Sequence, residues 1–325
     1  MNKRIVRYKF ILIVLVVVLL GTIVTYKKQQ QGNAYFHVGI AVYNMDDTYM
    51  QEYIEELRGA LEKYECSGKK VLYEILDAEG NWNRQQKQLQ YMYSQNFDAL
   101  FINLVKPAAA ASILNQTAQL DIPVILFNRE PEAKNLTISD NIWYVGTDAK
   151  AAGAIQGDML SNLWKQQKTE VDRNKNGKLD YVLVEGEEAH FDAVRRTNGF
   201  LENSSDINLN QIANIAADWQ RVIAYHEFSE LDKEIVENIE AVVCHNDDMA
   251  LGIYDYYEEH QMEKPVILGI NNSSETNLYG TVDNNIEEQV GYMCNLLDHI
   301  LKDQTEGIEN VWYSKPYAVL NMIKR

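Results

Sequence analysis

Cysteine is scarce in this chain. Its 325 residues include three, Cys66, Cys244 and Cys294. An odd, widely spread set excludes a disulfide framework and a Cys-x-x-Cys metal site. Cys244 sits in the apolar run 241–244 and Cys294 on a helical pattern, so both read as buried thiols. Enzyme signatures are missing too: there is no Gly-x-Ser-x-Gly elbow, no Walker A loop and no His-Glu-x-x-His zinc motif. Positive charge is short beyond the N-terminus. After residue 34 there remain 24 Lys and Arg against 47 Asp and Glu, a net charge of −23. A surface that negative repels phosphate backbones and excludes nucleic acid as a partner.

The N-terminus lacks the opposite sign, with no Asp or Glu before residue 46. Lys3, Arg4, Arg7 and Lys9 precede an apolar run over residues 10–24, and Lys27-Lys28 follow it. The heavier basic flank lies before the run, which keeps the N-terminus cytoplasmic and places the remainder outside. The run has the length of a signal-peptide core. However, no small-x-small cleavage site follows it directly; Gly32-Asn33-Ala34 is the sole candidate. No Cys follows to carry a lipid. Residues 1–33 are therefore expected to form an uncleaved membrane anchor, in preference to a cleaved signal. In both cases the body of the protein is exported.

One polar stretch stands out: Asp172-Arg173-Asn174-Lys175-Asn176-Gly177-Lys178-Leu179-Asp180. Oxygen side chains fall at positions 1, 3, 5 and 9 with Gly at 6, the spacing of an EF-hand calcium loop. Lys178 at position 7 would ligate through its backbone carbonyl. The bidentate Glu of position 12 is missing, because Leu183 stands there inside an apolar run. A calcium site here must take a carboxylate from elsewhere in the fold. The alternative is a polar turn between helix and strand, since Asn, Asp and Gly favour turns.

From residue 36 the chain alternates β-rich runs with amphipathic helical patterns. Strands are expected at 38–43, 70–76, 99–104, 124–127, 181–185, 211–216, 241–244 and 266–270. Helices are expected at 49–64, 84–94, 108–119, 149–165, 193–202, 248–259 and 287–302. Such alternation implies parallel sheets with right-handed crossovers. The strands are too many for one sheet, so the fold class is α/β with two doubly wound lobes. Ligands of such sheets bind outside the carboxyl ends of the strands. Polar residues gather there: Asp47 and Tyr49, Asn103, His190-Phe191-Asp192 with Arg195-Arg196, Trp219, Asn246, Asn271 and Asn284. Carboxylates, amides and guanidinium hydrogen-bond hydroxyls, and aromatic faces pack on C–H patches, as a sugar ring requires. Taken singly, Asp47, Asp247 and Asn284 also read as helix caps.

Several motifs carry a specific resemblance. They are Ile102-Asn103-Leu104-Val105-Lys106-Pro107, Tyr144-Val145-Gly146-Thr147-Asp148, the half EF-hand, His190-Phe191-Asp192-Ala193-Val194-Arg195-Arg196, and Asn246-Asp247-Asp248-Met249-Ala250. From about residue 37 to 300 the chain resembles the periplasmic galactose/glucose-binding proteins of sugar ABC importers, which have the type I periplasmic binding protein fold. The resemblance implies an N-terminal lobe of residues 36–129 and 284–310, hinged to a C-terminal lobe of 130–283 and 311–325 that carries the calcium loop. It implies sugar contacts from Asp47, Asn103, His190, Asp192, Arg196, Asn246 and Asn284, with Tyr49 and Trp219 sandwiching the ring. It implies structural calcium held by Asp172, Asn174, Asn176, Lys178 and Asp180, with Glu240 as the remote bidentate carboxylate.

There is a departure at Asn271, where the family has an Asp that accepts from sugar hydroxyls. Loss of that charged acceptor costs about 1.5–3 kcal/mol and leaves the sugar identity open. The expected function is a monomeric, non-catalytic, extracytoplasmic monosaccharide-binding protein. It would present its ligand to an ABC permease, or to a membrane sensor such as a histidine kinase or chemoreceptor. A glycosidase reading of Asp47 and Asp192 needs carboxylates about 5–10 Å apart, with His190 as base, and is disfavoured by the resemblance. A repressor of this fold needs a DNA-binding helix pair where the apolar segment stands.

Overall fold

A computed structural model describes residues 35–188, 190–273 and 277–321. The apolar segment at 10–24, expected to anchor the chain, lies outside them. Among the described residues, no helix is long and apolar enough to cross a membrane.

The first lobe opens with β1 (Tyr35–Val42), α1 (Thr48–Lys63), β2 (Glu65–Cys66) and β3 (Lys69–Asp77). It continues with α2 (Trp82–Ser94), β4 (Ala99–Ile102), α3 (Ala110–Gln119), β5 (Val124–Phe127) and β6 (Ile142–Thr147). The chain then builds a second lobe from α4 (Ala149–Val171), β7 (Leu179–Glu185), α5 (Phe191–Asn203), β8 (Leu209–Ala216), α6 (Arg221–Ser229) and α7 (Lys233–Asn238). The second lobe continues with β9 (Ala241–Cys244), α8 (Asp247–Glu259), β10 (Val266–Leu268) and β11 (Gly280–Asp283). α9 (Ile286–Leu301) and β12 (Val311–Ser314) return to the first lobe, and β13 (Tyr317–Leu320) closes the second.

Each lobe is a mainly parallel sheet flanked by helices. The first has strand order β12-β6-β5-β4-β1-β3-β2, the second β13-β11-β10-β9-β7-β8. β4 (ALFI), β5 (VILF) and β9 (AVVC) are buried at every position, as strands covered on both faces must be. α1 buries Tyr49, Met50, Tyr53, Ile54, Leu57 and Leu61, a stripe at helical spacing. That stripe packs on Val38, Ile40 and Val42 of β1 and on Val290, Met293 and Leu297 of α9. α9 thus belongs to the first lobe although it follows the second in sequence.

The lobe boundaries differ from those expected in two places. Residues 130–147 and 311–314 lie in the N-terminal lobe, not the C-terminal one. β6 pairs in parallel with β5, from Val124↔Ile142 to Phe127↔Val145, and β12 pairs with β6. The driving force is burial: Trp143 and Val145 enter the first core, with Trp312 packed against it. The chain therefore crosses between lobes after Thr147, after Asp283 and after Ser314. Groups beside the three crossings converge on one carbonyl. Asn284 O accepts from Thr147 Oγ1 at 2.9 Å, Ser314 Oγ at 2.8 Å and Gln289 Nε2 at 2.7 Å.

Candidate ligand-binding site

The carboxyl ends of both sheets face a cleft enclosing about 420 Å³ of empty space, open solvent at its mouth included. From the first lobe come Asp47 and Tyr49, held by the start of α1. Asp47 caps that helix, accepting from Met50 N–H at 3.0 Å, while the Tyr43 hydroxyl donates to its other oxygen. Burial pushes the Asp47 carboxyl above its ordinary pKa, against the pull of Tyr43 and Arg129. One residue is therefore both cap and cleft lining. Tyr49 lies in the first turn, its hydroxyl accepting from Gln289 Nε2 at 3.3 Å.

The second lobe supplies the larger share. His190 caps α5, its Nδ1 accepting from Asp192 N–H at 3.2 Å. That bond leaves the proton on Nε2, which is buried without a partner. Burial, then the Arg129 and Arg196 cations, lower the His190 pKa to about 3, so the ring is neutral. Asp192 Oδ1 is also buried and unpartnered. Its pKa rises to about 6 through burial, opposed by Arg196 and Arg129. Arg196 donates to His245 O, and its guanidinium carbon lies 5.3 Å from the Trp219 ring centre. Trp219 has a left-handed φ of 67° and packs edge-on to His190, ring centres 5.4 Å apart. Asn246 caps α8 through Met249 N–H at 2.9 Å and holds Trp219 O at 2.9 Å. Asn271 also lines the cleft.

Two expected contacts stand back from the cleft. Asn103 is fully buried and committed within the first lobe. Its Oδ1 accepts from Tyr43 N–H at 3.1 Å, and its Nδ2 donates to Phe127 O and Asn128 Oδ1, both at 3.0 Å. It braces the residues that do line the cleft. Asn284 is buried behind Asn271, donating from Nδ2 to Asn271 Oδ1 at 2.9 Å. Nor do Asp247 and Asn284 cap helices; their neighbours Asn246 and Asn285 do. Asp247 is instead held by Thr281 Oγ1 at 2.7 Å and Ser273 N–H at 2.8 Å.

Sequence reasoning missed Tyr43, Asn128 and Arg129 as lining residues. Arg129 and Asn128 follow β5 directly, so the strand-end rule that found Asp47 applied to them as well. The Arg129 side chain crosses the cleft to Glu187 Oε1 at 2.6 Å, and its Nε is buried without a partner. Thr48 Oγ1 makes a second bridge to Asp248 Oδ2, at 2.7 Å.

The candidate calcium residues also come together. Asp172 ends α4, and Gly177 N–H donates to its Oδ2 at 3.1 Å. Asp180 Oδ2 accepts from Asn174 and Asn176 amides at 2.7 and 2.8 Å. Glu240 arrives from the start of β9, its Oε2 accepting from Asp180 N–H at 3.0 Å and its Oε1 from Asn174 N–H at 3.4 Å. Lys178 keeps its side chain exposed, and its N–H donates to Asn176 Oδ1 at 2.7 Å. Among the described residues no three His, Cys, Asp or Glu side chains are arranged to hold a metal. The set here is all oxygen and mixes acids with amides, and Asp172 Oδ1 is buried without a partner. That donor chemistry fits a hard cation.

A two-lobed α/β fold with polar groups gathered at the facing strand ends is an arrangement that can enclose a solute between the lobes. The chain belongs to the family of the periplasmic binding protein domain, which matches residues 38–305. It is 32% identical over 294 residues to the D-galactose/methyl-galactoside binding periplasmic protein MglB of Haemophilus influenzae, covering 87% of this chain and 86% of that protein. Among solved structures, a galactofuranose binding protein superposes with a TM-score of 0.74 at 20% identity, covering 88% of this chain and 94% of that one. The fructose binding periplasmic domain of a hybrid two component system superposes with a TM-score of 0.72 at 22% identity, covering 88% and 90%. These two share the fold. The chain is a binding protein and not an enzyme, as its relatives are, and the family implies an extracytoplasmic location.

Proposed function

We propose that the protein binds a monosaccharide in the cleft, closes its lobes on it, and presents it to the permease of an ABC importer. One observation carries this reading: the cleft is lined by buried polar atoms that the protein itself leaves unpartnered. The donors are His190 Nε2, Arg129 Nε and Arg196 Nε, and an acceptor is Asp192 Oδ1. Each such group costs about 1–3 kcal/mol unless something satisfies it. Sugar hydroxyls both donate and accept, and Tyr49 and Trp219, one on each lobe, offer faces to the ring. The D-galactose/methyl-galactoside binding relative makes galactose the first ligand to consider.

Calcium is proposed as a structural ion. Asp172, Asn174, Asn176, the Lys178 carbonyl, Asp180 and Glu240 would hold it, the two Asn amides turning their oxygens inward. Bound there, it would tie the loop to the start of β9. A second reading, a membrane-tethered sugar sensor, is favoured by the apolar segment at 10–24. The test is a thermal-shift screen against galactose, glucose, ribose, fructose and myo-inositol, with and without calcium. Stabilisation by one or more of these is expected; silence across the panel would remove the sugar reading.

A further inference from the structure

We propose that His245 is the positioning residue for the second-lobe half of the cleft, a buried imidazole that sets Trp219 and Arg196 in place without meeting the ligand. The role rests on the sugar-binding reading of the cleft and adds to it a residue that stands outside the lining.

His245 follows β9 directly and is 1% exposed, behind the side chains that line the cleft. Its N–H donates to Val184 O at 2.9 Å, which fixes its backbone to β7. Its carbonyl accepts from Arg196 Nη1, and that bond aims the guanidinium. The ring nitrogens reach two further segments. Nδ1 accepts from Gly186 N–H at 3.4 Å, just past the end of β7, and Nε2 lies 3.2 Å from Thr197 Oγ1 on α5.

The Gly186 bond fixes the direction of the others. A ring nitrogen that accepts from a backbone N–H carries no proton, so the proton is on Nε2 and is donated to Thr197 Oγ1. The Thr197 hydroxyl then donates to Glu185 Oε1 at 2.6 Å, and Glu185 Oε2 accepts from Asn214 Nδ2 at 2.8 Å. The bonds run one way, from Gly186 N–H through His245 and Thr197 to a carboxylate. They need a neutral ring, because a protonated one has no acceptor for Gly186. Burial, then Arg196 and His190, lower the His245 pKa and keep the ring neutral.

The segments held this way carry the cleft's own groups. Trp219 packs so closely on Gly186 that a Cβ there would meet the indole, and its ring centre lies 6.2 Å from that of His245. A shift of Gly186 therefore moves the indole face. Thr197 is the residue after Arg196, on the helix that His190 caps and that carries Asp192. Its bond to the ring sets the rotation of that helix and with it the aim of these groups. Orienting them before a ligand arrives reduces the entropy lost on binding.

The test is calorimetric titration of wild type, Thr197→Val and Thr197→Ser with galactose, glucose, ribose, fructose and myo-inositol, with melting curves to check folding. Thr197 does not line the cleft; valine keeps its shape and serine keeps its hydroxyl. For the sugar that the wild type binds, the expected result is a loss of about fivefold or more in Thr197→Val, restored in Thr197→Ser. The loss should shrink in a Trp219→Ala background, where there is no indole to misplace. Unchanged affinity in Thr197→Val, a Thr197→Ser protein as weak as Thr197→Val, or the same fold-loss with and without the indole would overturn the role of His245 while leaving sugar binding intact. A wild type that binds none of the five would overturn both. Should Thr197→Val fail to fold, His245→Asn keeps an acceptor for Gly186 N–H, loses the reach to Thr197 and must show the same loss.

Discussion

Arg129 Nη2 donates to Glu187 Oε1 at 2.6 Å, a bond that runs from the first lobe to the second across the mouth of the cleft. The guanidinium carbon lies 4.6 Å from the Tyr43 ring centre, and the Arg129 side chain is 7% exposed against 40% for Glu187. The arginine is thus committed to the cleft, while its partner is half in water. Glu187→Gln should leave the guanidinium in place and weaken the link between lobes. Because Glu187 is partly screened, the expected loss of ligand affinity is about 1 kcal/mol, roughly fivefold. Equal affinity in calorimetry would deny the bridge a part in closure.

Gly186 is required by Trp219. A Cβ at Gly186 would sit 2.1 Å from Trp219 Cζ2. Gly186→Ala must therefore displace the indole from its place beside His190. The expected effect is an affinity loss of about tenfold or more, similar to that of Trp219→Ala. A Gly186→Ala protein that binds as tightly as wild type would show that the indole position does not matter.

Glu130 makes stability depend on pH. It is buried beside Tyr313, whose hydroxyl donates to it at 2.6 Å, and Arg195 bridges it to Asp148. Burial raises its pKa from 4.5 to about 7; Tyr313 and Arg195 oppose the rise, and the Asp192 and Asp148 charges add to it. A carboxyl whose folded pKa lies above its unfolded one favours folding when protonated. That contribution is fully present below pH 4.5 and is lost as pH rises through about 7. Asp192 and Asp247, both raised from 3.8 to about 6, act with the same sign. His190 and His245, whose pKa values burial lowers from 6.5, act with the opposite sign up to about pH 6.5, so the Glu130 contribution is read as a difference between proteins. Relative to wild type, the melting temperature of ligand-free Glu130→Gln should gain progressively as pH rises from 5 to 7; a difference between the two that stays constant across this range contradicts the assignment.

Calcium should stabilise the second lobe. Chelation is expected to lower the melting temperature, and Glu240→Gln to mimic it, since Glu240 contacts both Asp180 and Asn174. The variant should then respond little to added calcium. Identical melting curves for wild type with and without chelator would remove the ion from the account.

Much of this was legible because it is local. The apolar runs of β4, β5 and β9 announce buried parallel strands, and the Asp47 cap with the stripe from Tyr49 to Leu61 announces α1. The lobe membership of Ile142–Thr147 and Val311–Ser314 was not legible. It depends on which strand each one pairs with, and β12 joins β6 across more than 160 residues. Asn103 shows the same limit within the site. Its position after a strand marks it as a contact, but bonds to Tyr43 and Phe127 turn it inward. α6 and α7 escaped notice because they are short and weakly periodic, at 9 and 6 residues.

The central claim is that a monosaccharide sits between Tyr49 and Trp219. The most direct measurement is calorimetric titration of wild type and Trp219→Ala with the sugar that most stabilises the wild type. The account predicts saturable one-to-one binding by the wild type. It predicts a loss of about tenfold or more in the variant, whose ligand-free melting temperature stays close to that of the wild type. Equal affinity in the two proteins, or no binding of any sugar by either, would contradict it.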